Sequence, residues 1–95
     1  MQFEWDPAKN DSNIAKHNIA FADAIRVFLD PRVLVRAGIN PPYDEARWVA
    51  VGSVDGNTYA VVYTDRSPDI RRIISARRAR SNERRQYDQG ADPVR

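Results

Sequence analysis

The sequence predicts an α+β fold: two N-terminal helices packed on a small antiparallel sheet, a meander, closed by a short C-terminal helix. Three observations lead there. Helical spacing comes early, between residues 7 and 29. The dipeptide Asp55-Gly56, a strong hairpin signal, sits between two strand-like stretches. A charged helix-forming stretch then follows the last strand. Helices first and tightly connected strands afterwards is the order of a segregated α+β chain, not of alternating β-α-β units. At 95 residues there is room for one domain, 1–95, with about 90–95 as a frayed tail.

Each element has a local reason. Residues 2–5 alternate and are expected as a first strand. Asp6-Pro7 starts a helix over 7–17, because the carboxylate caps free amides and proline suits the first helical position. Ala8, Ile14 and Ala15 fall near one face of it. Asn18 stands where a helix stop calls for a left-handed residue. A second helix over 21–29 spaces Phe21, Ala24, Ile25 and Phe28 at i, i+3, i+4 and i+7, and Asp30-Pro31 ends it. Val33-Leu34-Val35 has strand composition, and Gly38-Ile39-Asn40-Pro41-Pro42 reads as loop. Strands over 47–54 and 58–64 flank Asp55-Gly56, and with a two-residue loop opposing positions sum to 111. One face then holds Val49, Val51, Ala60 and Val62; the other holds Trp48, Ala50, Gly52, Tyr59, Val61 and Tyr63. The aliphatic face is the expected seat of the two helices. The aromatic face is left part exposed, or covered by the C-terminal segment or a partner. A third strand over 70–76 and a charged helix over 80–89, stopped at Gly90, complete the chain.

Composition excludes several classes. With no cysteine there is neither a disulfide framework nor a Cys-based zinc site, and one histidine rules out a His-rich metal cluster. No run of about 18 apolar residues is present, and the first residues lack a signal-peptide pattern. The expectation is a small cytoplasmic protein with no membrane association. A Gly-rich phosphate loop, a nucleophile elbow and an HExxH motif are all missing. Charge is uneven: residues 66–95 carry nine arginines against four acids, a net +5, whereas residues 1–65 are net −3. Thirteen of the fifteen cations are arginine, whose planar fork suits phosphate and stacks on bases. An anionic partner is indicated, either nucleic acid or an acidic protein. No helix-turn-helix or basic N-terminal ribbon marks the chain as a DNA reader.

The polar candidates are Lys9, Lys16, His17, Glu45, Arg47, Tyr87 and the arginines of segment 71–78. His17 is the side chain suited to proton exchange near neutral pH, and equally a helix-terminal cation that offsets the dipole. Lys9 and Lys16, two turns apart, lie on similar faces of the first helix. On a regular strand Arg71, Ser75 and Arg77 share one face and Arg72 projects to the other. A guanidinium held beside apolar residues needs an anion or carbonyl. Glu45 is available as that partner, or as a base beside a bound phosphate; the pattern leaves both open.

In this order, Trp5-Asp6-Pro7-Ala8-Lys9, Asn13, Lys16-His17, Phe21, Glu45, Arg47, Asp55-Gly56, Arg72-Ile73-Ile74-Ser75-Ala76-Arg77-Arg78-Ala79 and Glu83-Arg84-Arg85-Gln86-Tyr87 resemble the BrnT-type toxins over residues 3–87. Departures are Asn18 in place of a usual Gly, Ala20 in place of a capping Ser or Thr, and one acid at Glu45-Ala46-Arg47 where the family often has two. The resemblance implies a RelE-like fold and a metal-independent, cofactor-free ribonuclease toxin of a type II toxin–antitoxin system. Its implied partners are RNA and a BrnA-like antitoxin with a ribbon-helix-helix domain, operator DNA being bound only through their complex. On that footing Arg72 and Arg77 are the expected phosphate clamp, His17 or Glu45 the proton acceptor and Tyr87 a donor or stacking platform. Lys9, Lys16, Arg47, Arg78 and Arg84 would hold the RNA backbone. The competing reading is a non-catalytic module of the same fold that only binds its antitoxin.

Overall fold

The structure, a computed structural model, describes residues 1–38 and 46–90. Strand β1 (Gln2–Glu4) leads into helix α1 (Pro7–His17). Asp6 caps α1 as its sequence suggests, its Oδ1 accepting from Ala8 N at 2.9 Å. Asn18 ends it in the left-handed region at φ 57°, donating its N–H to the Ile14 carbonyl. Helix α2 (Phe21–Ala24) is short and tightens into a 3₁₀ turn over Ile25–Leu29, so the predicted nine-residue helix is two unlike pieces. The Ala20 cap position has no side-chain bond of its own; Asn10 of α1 supplies one, its Oδ1 accepting from Phe21 N at 2.8 Å.

The remaining strands are β2 (Leu34–Ala37), β3 (Trp48–Val54), β4 (Asn57–Ser67) and β5 (Ile70–Arg78), followed by helix α3 (Ser81–Gln89). The expected antiparallel meander is the centre of a larger, mixed sheet of order β1-β5-β4-β3-β2, in which β1 runs parallel to β5. The β3–β4 register holds the predicted sum, from Trp48 opposite Tyr63 to Val54 opposite Asn57. Asp55 and Gly56 take φ 51° and 85°, the two positive values that a tight primed turn requires. Loop residues 39–42 and tail residues 91–95 lie outside the described residues.

The helices sit on the opposite face from the one expected. α1, α2 and the 3₁₀ turn cover the aromatic face, where Ile19, Phe21, Ala24 and Val27 close over Ala50, Val61, Tyr63, Ile73 and Ala76. Aromatic contacts knit this layer: Phe28 stacks on Phe3 at 5.6 Å and meets Tyr63 edge-on at 5.2 Å, and Trp5 meets Phe21 at 5.9 Å. Gly52 permits it, since a Cβ there would stand 3.0 Å from the Val27 backbone oxygen and Cβ. The aliphatic face instead receives α3, whose Tyr87 joins Val49, Val51, Ala60 and Ala79 in a second core. The physical reason is apolar supply. α3 offers one aromatic ring, enough for the narrow Val/Ala face, whereas Phe21, Val27 and Phe28 are needed to fill the wider one.

Within α1 the buried residue is Asn13, while Ile14 remains 40% exposed, so the helix docks through a polar group and not through the predicted apolar face. Asn13 Nδ2 donates to the Ile19 carbonyl at 3.0 Å and its Oδ1 accepts from Ala76 N at 3.0 Å. One buried amide thereby pins the turn after α1 to the flank of β5. Replacing it with alanine strands a buried carbonyl and a buried N–H, each costing on the order of 1–3 kcal/mol. Asn13→Ala is expected to lower unfolding free energy by about 2–4 kcal/mol, read as a lower urea midpoint at unchanged slope.

Candidate functional site

Strand β5 is irregular where its chemistry is densest. Val62 faces Ser75 and Tyr63 faces Ile73, so Ile74 is an extra residue, a β-bulge. The bulge changes the expected alternation. Ile73 and Ala76 both enter the helix-side core, while Arg72, Ser75 and Arg77, opposite Thr64, Val62 and Ala60, share the other face. Arg71, predicted to lie with Ser75 and Arg77, is on the helix side instead. There it pairs with Asp65 at 2.7 Å and lies over the Phe28 and Tyr63 rings at 4.7 and 4.3 Å. That position is structural.

α1 lies beside the bulge. Lys9, Lys16 and His17, with Ser12, Asn13, Ile74 and Ser75, line a cleft of about 200 Å³. Both lysines and the histidine are solvent-exposed at its rim. The structure thus gathers Lys9, Lys16 and His17 around Ser75, while Arg72 and Arg77 flank Ser75 along its strand face without lining the cleft.

The two arginines do not point at each other. Arg72 reaches Glu4 on β1 at 2.8 Å, in a half-exposed pair between register neighbours. Arg77 turns toward α3 and bonds Glu83 through both terminal nitrogens, at 2.7 and 3.0 Å. Glu83 is 2% exposed and also accepts from Arg36 of β2 at 2.6 Å and from Arg80 N at 2.8 Å. These bonds, that of Arg77 foremost, hold its carboxyl down at about 2 despite burial. One carboxylate shared by two guanidiniums leaves the trio with a net positive charge. Arg36 is not among the residues that sequence pattern singles out; its signal is a lone charge within Leu34-Val35-Arg36-Ala37.

Other predicted residues lie elsewhere. Arg78 is exposed at the end of β5 opposite Tyr59, Arg84 is exposed on α3, and Arg47 is part-buried ahead of β3. Glu45 lies outside the described residues; the neighbouring Ala46 carbonyl accepts from Thr64 Oγ1 at 2.7 Å. Tyr87 departs furthest from its expected role. Its ring is buried under the Arg32 guanidinium at 5.0 Å and its hydroxyl donates to Asp30. Burial and that carboxylate raise the phenol's pKa. Burial pushes Asp30 up, but the bonds from Tyr87, Arg32 N and Ser53 N outweigh it and hold the acid low. Tyr87 is therefore a core anchor in this arrangement, not a stacking platform. A larger cleft of about 410 Å³ beside it, lined by Arg26, Asp30, Asp55 and Leu29, has its charges already paired, Arg26 with Asp55 at 2.9 Å through both nitrogens.

Residues 5–83 match the family model described as ribonuclease toxin, BrnT, of type II toxin–antitoxin system. Among solved structures, the chain is similar to the 1.1 Å crystal structure of the Brucella abortus ribonuclease toxin BrnT, at 30% identity and TM-score 0.64. The match covers 85% of this chain and 99% of that one. No curated protein matches.

Glu83 titrates below its ordinary value, so the stability it contributes is present above pH 4.5 and is lost as pH falls toward 2. The gap in unfolding free energy between wild type and Glu83→Gln is expected to shrink by up to about 3 kcal/mol across that window, measured by urea titrations at successive pH values.

Proposed function

The chain belongs to the BrnT family of ribonuclease toxins of type II toxin–antitoxin systems, and from that premise we propose that the α1–β5 cleft is where it binds and cuts RNA. One observation carries the reading: Lys9, Lys16 and His17 line one cleft with Ser75, and the bulge at Ile74 puts Ser75 on the same strand face as Arg72 and Arg77. These are the groups that metal-independent cleavage asks for. The ribose 2′-hydroxyl attacks the adjacent phosphate, the 5′-oxygen leaves, and a 2′,3′-cyclic phosphate results. One proton must be taken, one given, and the added negative charge on phosphorus stabilised.

In this scheme the phosphodiester sits over Ser75. His17 exchanges the proton, with Glu45 retained as the alternative acceptor. Lys9 and Lys16 hold neighbouring phosphates, and Arg78 at the end of β5, Arg47 ahead of β3 and Arg84 on α3 contact more distant ones. Arg77 keeps the spare charge of its trio for the scissile phosphate. Arg72 exchanges Glu4 for RNA, a swap that costs little because exposed ion pairs are worth about 0–1 kcal/mol. Tyr87 supports the fold and takes no step. The RelE-like description, a BrnA-like ribbon-helix-helix antitoxin, operator binding through the complex and a cytoplasmic site of action complete the proposal.

The second reading, a module that only binds its antitoxin, draws support from one feature: both Arg72 and Arg77 are engaged by internal acids. Growth arrest on induction, relieved by co-expressed antitoxin, separates the two; complex formation without arrest favours the second.

Substituting His17, an exposed residue, is expected to leave the thermal midpoint in place. With a single-stranded RNA substrate, His17→Ala should slow cleavage by roughly 10²-fold or more, and unchanged cleavage removes His17 from the chemistry. With about six phosphate contacts, log affinity for uncleavable single-stranded RNA should fall against log salt with slope near about −4. Arg72→Gln should make that slope shallower by roughly one contact, about 0.7.

A further inference from the structure

The two ends of the sheet are treated differently. At one end the terminal strand β1 is three residues long, and beyond it α1 covers the flank of β5, with Asn13 taking the Ala76 amide. At the other end β2 is the last strand of the sheet, and among the described residues no strand pairs with its outer side. Its pairing with β3 keeps constant register from Leu34 opposite Val51 to Ala37 opposite Trp48, and Gly38 N donates to the Arg47 carbonyl at 2.8 Å. By the alternation of an antiparallel ladder, the backbone groups of Leu34 and Arg36 turn toward β3 and those of Val35 and Ala37 turn outward. Edges are usually blunted by charge, proline or a covering element. This one is flanked on the helix side by an apolar strip, Val35 at 51% and Trp48 at 38% exposure. On the other side a groove of about 330 Å³ runs between β2 and α3, with Leu34 and Val51 on its floor and Arg36 and Glu83 at its wall.

We propose that β2 is the docking edge for the antitoxin, which adds an extended segment as a sixth strand. The inference rests on the family reading for the existence of that partner, and on the edge for where and how it binds. A strand added here hydrogen-bonds to Val35 and Ala37 and sends alternate side chains to opposite faces. Side chains beside Val35 and Trp48 are apolar. The one beside Arg36 is acidic, because Arg36 and Arg77 share a single carboxylate and Arg36 keeps half its side chain open to solvent. A partner carboxylate at that point also offsets the net positive charge of the Arg36–Glu83–Arg77 trio, so bound antitoxin weakens RNA binding at Arg77.

The test uses the full chain and the purified antitoxin encoded with it. In the wild type, amide hydrogen exchange at Val35 and Ala37 should slow at least tenfold on complex formation. Ala37→Pro removes one outward N–H that pairs with no strand among the described residues, and should raise the Kd at least tenfold while leaving thermal midpoint and antitoxin-free cleavage unchanged. A complex that forms with exchange at both amides unaltered overturns the proposal. So does protection of the edge by an uncleavable RNA, or by concentration-dependent dimerisation of the chain alone seen in sedimentation. Cleavage by the free chain is scored separately, so loss of the nuclease reading and loss of the edge reading give different results.

Discussion

Asn13 sits where α1 crosses the flank of β5, and its single carboxamide joins two backbones that no secondary structure would otherwise connect. Its oxygen takes the Ala76 amide just past the bulge, on the side of β5 that β1 no longer covers. Its nitrogen holds the Ile19 carbonyl, which begins the path to the α2 core. Because both groups are buried, both bonds must be made or their desolvation cost is borne in full. The position of α1 relative to Ser75 follows from this, and so does the nearness of Lys9, Lys16 and His17 to the strand that carries the arginines.

Electrostatics supplies the second constraint. Glu83 is the first-turn acid of α3 and draws guanidiniums from β2 and β5 as well as the Arg80 amide. It fastens α3 to the sheet at a point where that helix has few apolar groups, and does so without cancelling the local positive charge. Arg72 is held differently: its pair with Glu4 is part-exposed on both sides, where an ion pair contributes little. The same residue type therefore serves as scaffold at Arg71, as a shared anchor at Arg77 and in a part-exposed surface pair at Arg72.

Much of the fold was legible because it is decided locally. Asp6-Pro7 opened α1, Asn18 closed it, and Asp55-Gly56 set a two-residue turn whose register followed from simple counting. The clustering of Lys9, Lys16 and His17 was half legible, since helical spacing already put the two lysines on similar faces. The partners of the arginines were not. Arg72 meets an acid 68 residues away and Arg36 one 47 residues away, and no spacing rule links such pairs. Tyr87 was misread for a related reason: a tyrosine in a charged helix looks available until the opposing Asp30 is in place.

The sequence alone determined the α+β class, the helix and turn boundaries set by caps and left-handed residues, the hairpin register and the family resemblance. Each depends on backbone preferences of neighbouring residues or on motifs in fixed order. Tertiary structure decided which sheet face the helices took, the parallel docking of β1, the bulge at Ile74 that realigned Arg72 with Arg77, and the place of β2 as the last strand of the sheet. Those outcomes turn on volume matching between distant side chains and on which backbone groups find partners across the sheet, and neither quantity exists until the chain has closed on itself.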